Sequence, residues 1–206
     1  MSGNPMNALE RSWTLAWSDL GLQSPSGLYE RLITAYQAPH RHYHSLQHLV
    51  ECLAHFDQIR HQVQHPGEVA LALWFHDAIY DATATSNEQR SADWAVSALS
   101  VAGASQATRD YVRQLIMTTR HDAEVSEPDQ QLLVDIDLAI LGATPERFAE
   151  YNRQVRAEYN WVPGLLYSIK RKAVLKSFLA RKYIYYTQHS RQRYEAQARS
   201  NLAGII

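Results

Sequence analysis

The sequence predicts an all-α protein, and three observations carry that prediction. Apolar residues recur at three- and four-residue steps in one segment after another. No segment sustains the apolar–polar alternation of a strand, and no Asn-Gly pair marks a hairpin. Gly21, Pro39, Pro66-Gly67 and Pro163-Gly164 punctuate the periodic stretches, and no internal repeat is visible. A chain of 206 residues is long enough to bury a substantial core as one globular unit.

The elements follow in order. Between Met6 and Leu20, Leu9, Trp13, Ala16, Trp17 and Leu20 share one face of an amphipathic helix that ends at Gly21. A short helix after Ser26 carries Leu28, Leu32, Ile33 and Tyr36 inward and stops before Pro39. Both read as scaffold. Next comes H-R-H-Y-H-S-L-Q-H, His40 to His48, and seven of the ten histidines lie between His40 and His65. Ser45 is placed to cap the helix that runs through Leu46, Leu49, Val50, Leu53 and Phe56. His48, Glu51 and His55 fall away from that stripe. They form either a solvated row or, at His48, the wall of a water-filled cleft.

The stretch Ala70 to Asp81, A-L-A-L-W-F-H-D-A-I-Y-D, is the organising element. At about 100° per residue its large side chains cover almost the whole circumference, which predicts a helix buried on all sides. Asp77 is thereby carried into the interior. A buried carboxylate needs a cation, either a side chain or a metal. His76 beside it favours metal, because imidazole nitrogen and carboxylate oxygen together suit a divalent transition ion.

After a polar loop, Ser86-x-x-Gln89 reads as a capping box for a helix with Ala92, Ala95, Val96 and Leu99 inside; Asn87 and Glu88 sit at its positive end. A helix from about Ser105 presents Tyr111, Val112, Leu115 and Ile116 and leads to His121 and Asp122. Between Pro128 and Gly142 an apolar segment again holds carboxylates, Asp135 and Asp137, which point to different sides of a helix. Thr144 caps the next helix, with Pro145 at its first position and Phe148, Tyr151, Val155 and Tyr159 along one side. The helix after Pro163-Gly164 aligns Leu166, Ile169, Val174, Leu175, Phe178 and Leu179, and Tyr194 to Leu202 is helical as well.

Charge and composition narrow the function. A formal net charge of -1 gives no reason to expect nucleic-acid or membrane-surface binding. From Leu165 onward there are nine Lys or Arg against the single acid Glu195, a solvated basic face or one turned to an anion. The one cysteine, Cys52, excludes an intramolecular disulfide and fits a reducing cytoplasm. No signal peptide and no membrane span of roughly 20 apolar residues is expected.

His48, the His76-Asp77 doublet and Asp137 stand in the order of the signature of the HD superfamily of metal-dependent phosphohydrolases. The segments Y-H-S-L-Q-H, L-W-F-H-D-A-I-Y-D, S-N-E-Q-R-S-A, D-I-D-L-A-I-L-G and A-R-S-N-L resemble a family of small bacterial HD phosphohydrolases over essentially the whole chain. The resemblance implies one HD-type helical domain over 1–206, with scaffold helices at 1–36 and basic helices at 165–206 packed on it. It implies that His48, His76, Asp77 and Asp137 hold a divalent ion (Mn, Co, Mg, Zn, Ni or Fe). The substrate would be a nucleotide or another small phosphorylated metabolite, cleaved by metal-activated water.

His44 lies four residues before His48, as in the related cyclic-nucleotide phosphodiesterases, where the first histidine protonates the leaving oxygen; those enzymes carry asparagine where this chain has Ser45. Single-metal HD nucleotidases place a glutamate three residues after the doublet. Here that residue is Tyr80, which leaves Asp81 or Glu88 to orient water. Two-metal members use two further histidines before the last aspartate, and only His121 is available, which implies one ion per chain rather than two. His121, Lys170, Arg171 and Arg181 are the candidates for phosphate contact, His121 also for a second metal. A non-catalytic metal- or nucleotide-binding module and di-iron oxidative chemistry are the competing readings, and a homodimer is left open.

Overall fold

The computed structural model describes residues 5–120 and 125–205, with side chains from residue 8 onward. Among the described residues every regular element is helical, as the periodicity predicts. The chain divides into two compact units, Met1–Leu133 and Val134–Ile206.

In the first unit α1 (Pro5–Asp19), α2 (Leu28–Tyr36), α3 (Leu46–Ile59), α4 (Pro66–Phe75), α5 (Asn87–Val101) and α6 (Gln106–Met117) are followed by the start of α7 (Pro128–Asp137). The centre is α4, which packs against α1, α3, α5 and α6. Every residue from Val69 to Phe75 is buried. A helix with no polar residue over that run loses its apolar surface to water only when neighbours cover all sides, which is why four helices surround it. Trp74 anchors the α1 side, with its ring 5.1 Å from that of Trp13 and its indole N–H donating to Ser12 Oγ at 3.3 Å.

Pro66 and Gly67 open α4 rather than merely interrupting the chain. Pro66 occupies the first turn, where its missing N–H costs nothing. Gly67 lets α1 approach, since a Cβ there would stand 2.9 Å from Asp19 Cβ and 3.1 Å from the Ala16 carbonyl oxygen. The helix also ends earlier than the apolar run predicts. Phe75 is its last residue, and His76 and Asp77 lie in the turn beyond it.

A buried carboxylate ties this unit together at Asp129, which accepts from the Gln64 and His65 amides at 2.9 Å and from the Tyr111 hydroxyl at 3.3 Å. The caps are simpler than the sequence suggests. Ser45 and Ser86 hold the N-cap positions of α3 and α5 without a side-chain bond to the helix, and Gln89 pairs with Asp93 at 3.0 Å instead of closing a capping box.

The second unit begins within α7 and continues as a short 3₁₀ segment, Leu138–Gly142, then α8 (Pro145–Glu158), α9 (Gly164–Leu179), α10 (Gln188–Ser190), a π-helical turn Arg191–Glu195 and α11 (Ala196–Ala203). The 3₁₀ segment is buried under α8 and α11. Thr144 caps α8 by accepting from the Arg147 amide, as its position predicts. Asp135 is wholly buried and accepts from the Tyr186 and Thr187 amides at 2.7 and 2.8 Å and from the Thr187 hydroxyl at 2.7 Å. Burial raises its pKa, and these donors offset that only in part. The A-R-S-N-L segment is also structural: Asn201 donates to the Leu141 and Ala143 carbonyls, and Arg199 to those of Leu179, Arg181 and Lys182.

Of the six apolar positions aligned on α9, only Leu175 and Phe178 are buried, while Leu166, Ile169 and Val174 are exposed. Their angular spread around the helix is too wide for one packed face.

Two substitutions test these contacts. Gly67→Ala forces α1 and α4 apart and is expected to cost about 1–3 kcal/mol in urea denaturation. Asp135→Ala strands two part-buried amides and a hydroxyl, and a loss of about 1–3 kcal/mol is expected by the same measurement.

Candidate metal centre

The turn after α4 exists because other side chains take over its backbone groups. Arg41, itself buried, donates from Nη1 to the Asp77 carbonyl at 2.5 Å and to the His44 carbonyl at 3.0 Å, and from Nη2 to the Ala78 carbonyl at 2.8 Å. From the other side Ser91 of α5 accepts from the Ile79 amide at 3.0 Å, and Asn87 bonds both the amide and the carbonyl of Asp81. A helix whose following carbonyls are bonded elsewhere has no reason to continue. The His76-Asp77 doublet is thus fixed in a turn pinned from two directions.

The donor atoms converge. His76 Nε2 lies 3.1 Å from His48 Nε2 and 3.1 Å from Asp77 Oδ2, and His48 Nε2 lies 3.5 Å from Asp77 Oδ2. An ion with bonds near 2.1 Å spaces its ligand atoms by roughly 3.0–3.4 Å, so this triangle has the dimensions of one face of a coordination shell. The side chains of His48 and His76 are 3% and 1% exposed, and that of Asp77 16%.

His76 Nδ1 bonds the Leu73 carbonyl at 2.8 Å. A carbonyl can only accept, so Nδ1 carries a proton, and in the neutral ring, the form that binds a metal, Nε2 presents its lone pair to the centre. Burial acts to raise the Asp77 pKa. Protonated His76, His44 and His48, with His76 then also donating from Nε2, outweigh it and hold the carboxyl well below the usual carboxylate range.

Asp137 is the last residue of α7. It falls in the second unit, while in the first unit His48, Cys52 and His76 bring ligand atoms within 4.8 Å of one another. These buried histidine and cysteine side chains, with Asp77 beside them, can hold a metal ion.

The remaining candidates are placed as follows. The His44 ring is stacked on Tyr80, with centroids 4.1 Å apart, and lies 6.1 Å from the His48 ring. The Asp81 carboxylate accepts from the Thr83 amide and hydroxyl at 2.8 and 2.7 Å, an Asx-type turn that shapes the exposed loop. Glu88 is half-buried in the first turn of α5. His121, with Asp122, lies outside the described residues.

Lys170, Arg171 and Arg181 belong to the second unit. Lys170 is exposed, Arg171 reaches Asn152 at 3.3 Å over the Tyr151 ring, and Arg181 covers the Phe178 ring at 4.7 Å.

The sequence reading did not reach Arg41, Ser91 or Cys52. Arg41 left a signal in the apolar run itself, since a helix ended by a distant arginine has no local stop residue. Cys52 is one helical turn from His48, the spacing of two side chains that share a target. His48 itself is buried with Leu49, Cys52, Leu53 and Phe56 rather than lying on a wet face of α3.

No family model, no curated protein and no solved structure matches the chain. Among the described residues no helix is long and apolar enough to cross a membrane.

Arg41→Met removes the bonds to the Asp77, Ala78 and His44 carbonyls and is expected to weaken divalent-ion binding about 10–100-fold in calorimetric titration, with the fold retained by circular dichroism.

Proposed function

We propose that the protein is a metal-dependent phosphohydrolase of the HD superfamily acting on a nucleotide or another small phosphorylated metabolite. The observation that carries this reading is the convergence of His48 Nε2, His76 Nε2 and Asp77 Oδ2 within 3.5 Å, brought together from α3 and the turn after α4. The order of motifs along the chain, a histidine, a His-Asp doublet and a distant aspartate, supports it.

A divalent ion at this point would lower the pKa of water and polarise a phosphoryl oxygen. The protein's part is to hold and orient. His48, His76, Asp77 and Asp137 supply the donor atoms, and Arg41, Ser91 and Asn87 keep the doublet's turn rigid. His44, stacked on Tyr80 at the edge of the cluster, donates a proton to the leaving oxygen. Glu88 and Asp81 are the candidates for orienting water, and Asp81 is already engaged with Thr83. Lys170, Arg171 and Arg181 are proposed phosphate contacts.

Tyr80 favours a second reading. It stands three residues after the doublet and covers one face of His44, in the place where the resemblance puts a water-orienting glutamate. A chain without that carboxylate suits a module that binds a metal or nucleotide without turnover.

Phosphate release from a nucleotide panel with Mn²⁺, Co²⁺ or Mg²⁺ separates the two. The hydrolase reading expects metal-dependent release that falls by about 100-fold or more in Asp77→Ala. Equal rates in the variant reject the site, and tight metal binding with no product supports the module. His44→Ala is expected to lower kcat by about 10²–10⁴-fold while leaving metal affinity unchanged, read by comparing turnover with calorimetric titration.

A further inference from the structure

Cys52 is the chain's one cysteine, and it is buried beside the proposed centre. A buried cysteine ordinarily serves as a small apolar side chain. Two observations separate Cys52 from that role. Its Sγ lies 3.7 Å from both ring nitrogens of His48. Within the first unit its ligand atom also lies within 4.8 Å of those of both His48 and His76.

Sulphur and nitrogen donors adjacent on one ion, with bonds of about 2.3 and 2.0 Å, stand roughly 3.1–3.5 Å apart, near the 3.7 Å found here. The helix explains the placement: His48 and Cys52 are four residues apart on the buried face of α3, so their side chains extend over the same spot.

We propose that Cys52 is a thiolate ligand of the same ion, making a mixed nitrogen, sulphur and oxygen centre that selects Zn²⁺, Co²⁺ or Fe²⁺ over Mg²⁺ and Mn²⁺. The inference rests on the metal-centre reading and narrows its metal. Soft sulphur raises affinity for borderline ions and adds little for hard, oxygen-seeking ones. Binding replaces the S–H bond with a sulphur–metal bond; the proton leaves to solvent and no oxidation state changes.

The test is a Co²⁺ titration of the full chain followed by absorption. Wild type is expected to bind Co²⁺ with visible d–d bands and an intense near-ultraviolet thiolate-to-cobalt band. With one cysteine in the chain, that second band can come only from Cys52, so the wild-type spectrum decides the matter even where a variant folds poorly. Cys52→Ser is expected to keep the d–d bands, lose the near-ultraviolet band, and lose at least about tenfold in Zn²⁺ affinity while Mn²⁺ affinity stays within about twofold.

Cobalt bound with d–d bands but without the near-ultraviolet band overturns the role of Cys52 and leaves the metal centre standing. No cobalt bound by wild type overturns both.

Discussion

Two imidazole nitrogens and a carboxylate oxygen are held within 3.1–3.5 Å of one another inside the first unit. All three are electron-rich, and water reaches them only at the 16% exposed Asp77 side chain. Such a group is tolerated only with positive charge among its members, a proton on an imidazole or a metal ion, because an uncompensated interior carboxylate costs several kcal/mol. The His76 tautomer points to the same place, since its proton is committed to the Leu73 carbonyl and its lone pair faces the other donors. The all-apolar α4, the turn after Phe75 and the grip of Arg41 on that turn keep these atoms together.

Three aspartates sit in or beside apolar helices and do different work. Asp129 and Asp135 are almost fully buried and each accepts from two backbone amides and a hydroxyl, so their charge is met by hydrogen bonds and they act as internal staples. Asp77 faces two buried imidazoles, His48 and His76, whereas the histidine beside Asp129, His65 at 3.1 Å, is half exposed. The partner set, rather than burial, separates a structural carboxylate from a candidate ligand.

That distinction marks how far the sequence could be read. Helical periodicity is a local property, and it found the helices, their order, the Thr144 cap and the burial of α4 because each depends on residues within one or two turns. The His48, His76-Asp77 and Asp137 candidates could be named from order and chemistry. What the sequence could not show were bonds between residues far apart in the chain. Arg41 ends α4 from 36 and 37 positions away, and Asn201 satisfies Leu141 from 60 away. Ser45 and Ser86 read as side-chain caps and are not, because a backbone position alone can begin a helix. The apolar residues of α9 have helical spacing, yet spacing does not say which of them find a neighbour.

The central claim is that these donors share one divalent ion. Anomalous diffraction from a crystal of the full chain grown with Co²⁺ or Mn²⁺ addresses it directly. The account predicts one strong peak per chain, about 2.0–2.3 Å from His48 Nε2, His76 Nε2 and an Asp77 oxygen. No peak among these atoms, with a protonated histidine bridging to Asp77 in its place, would contradict it.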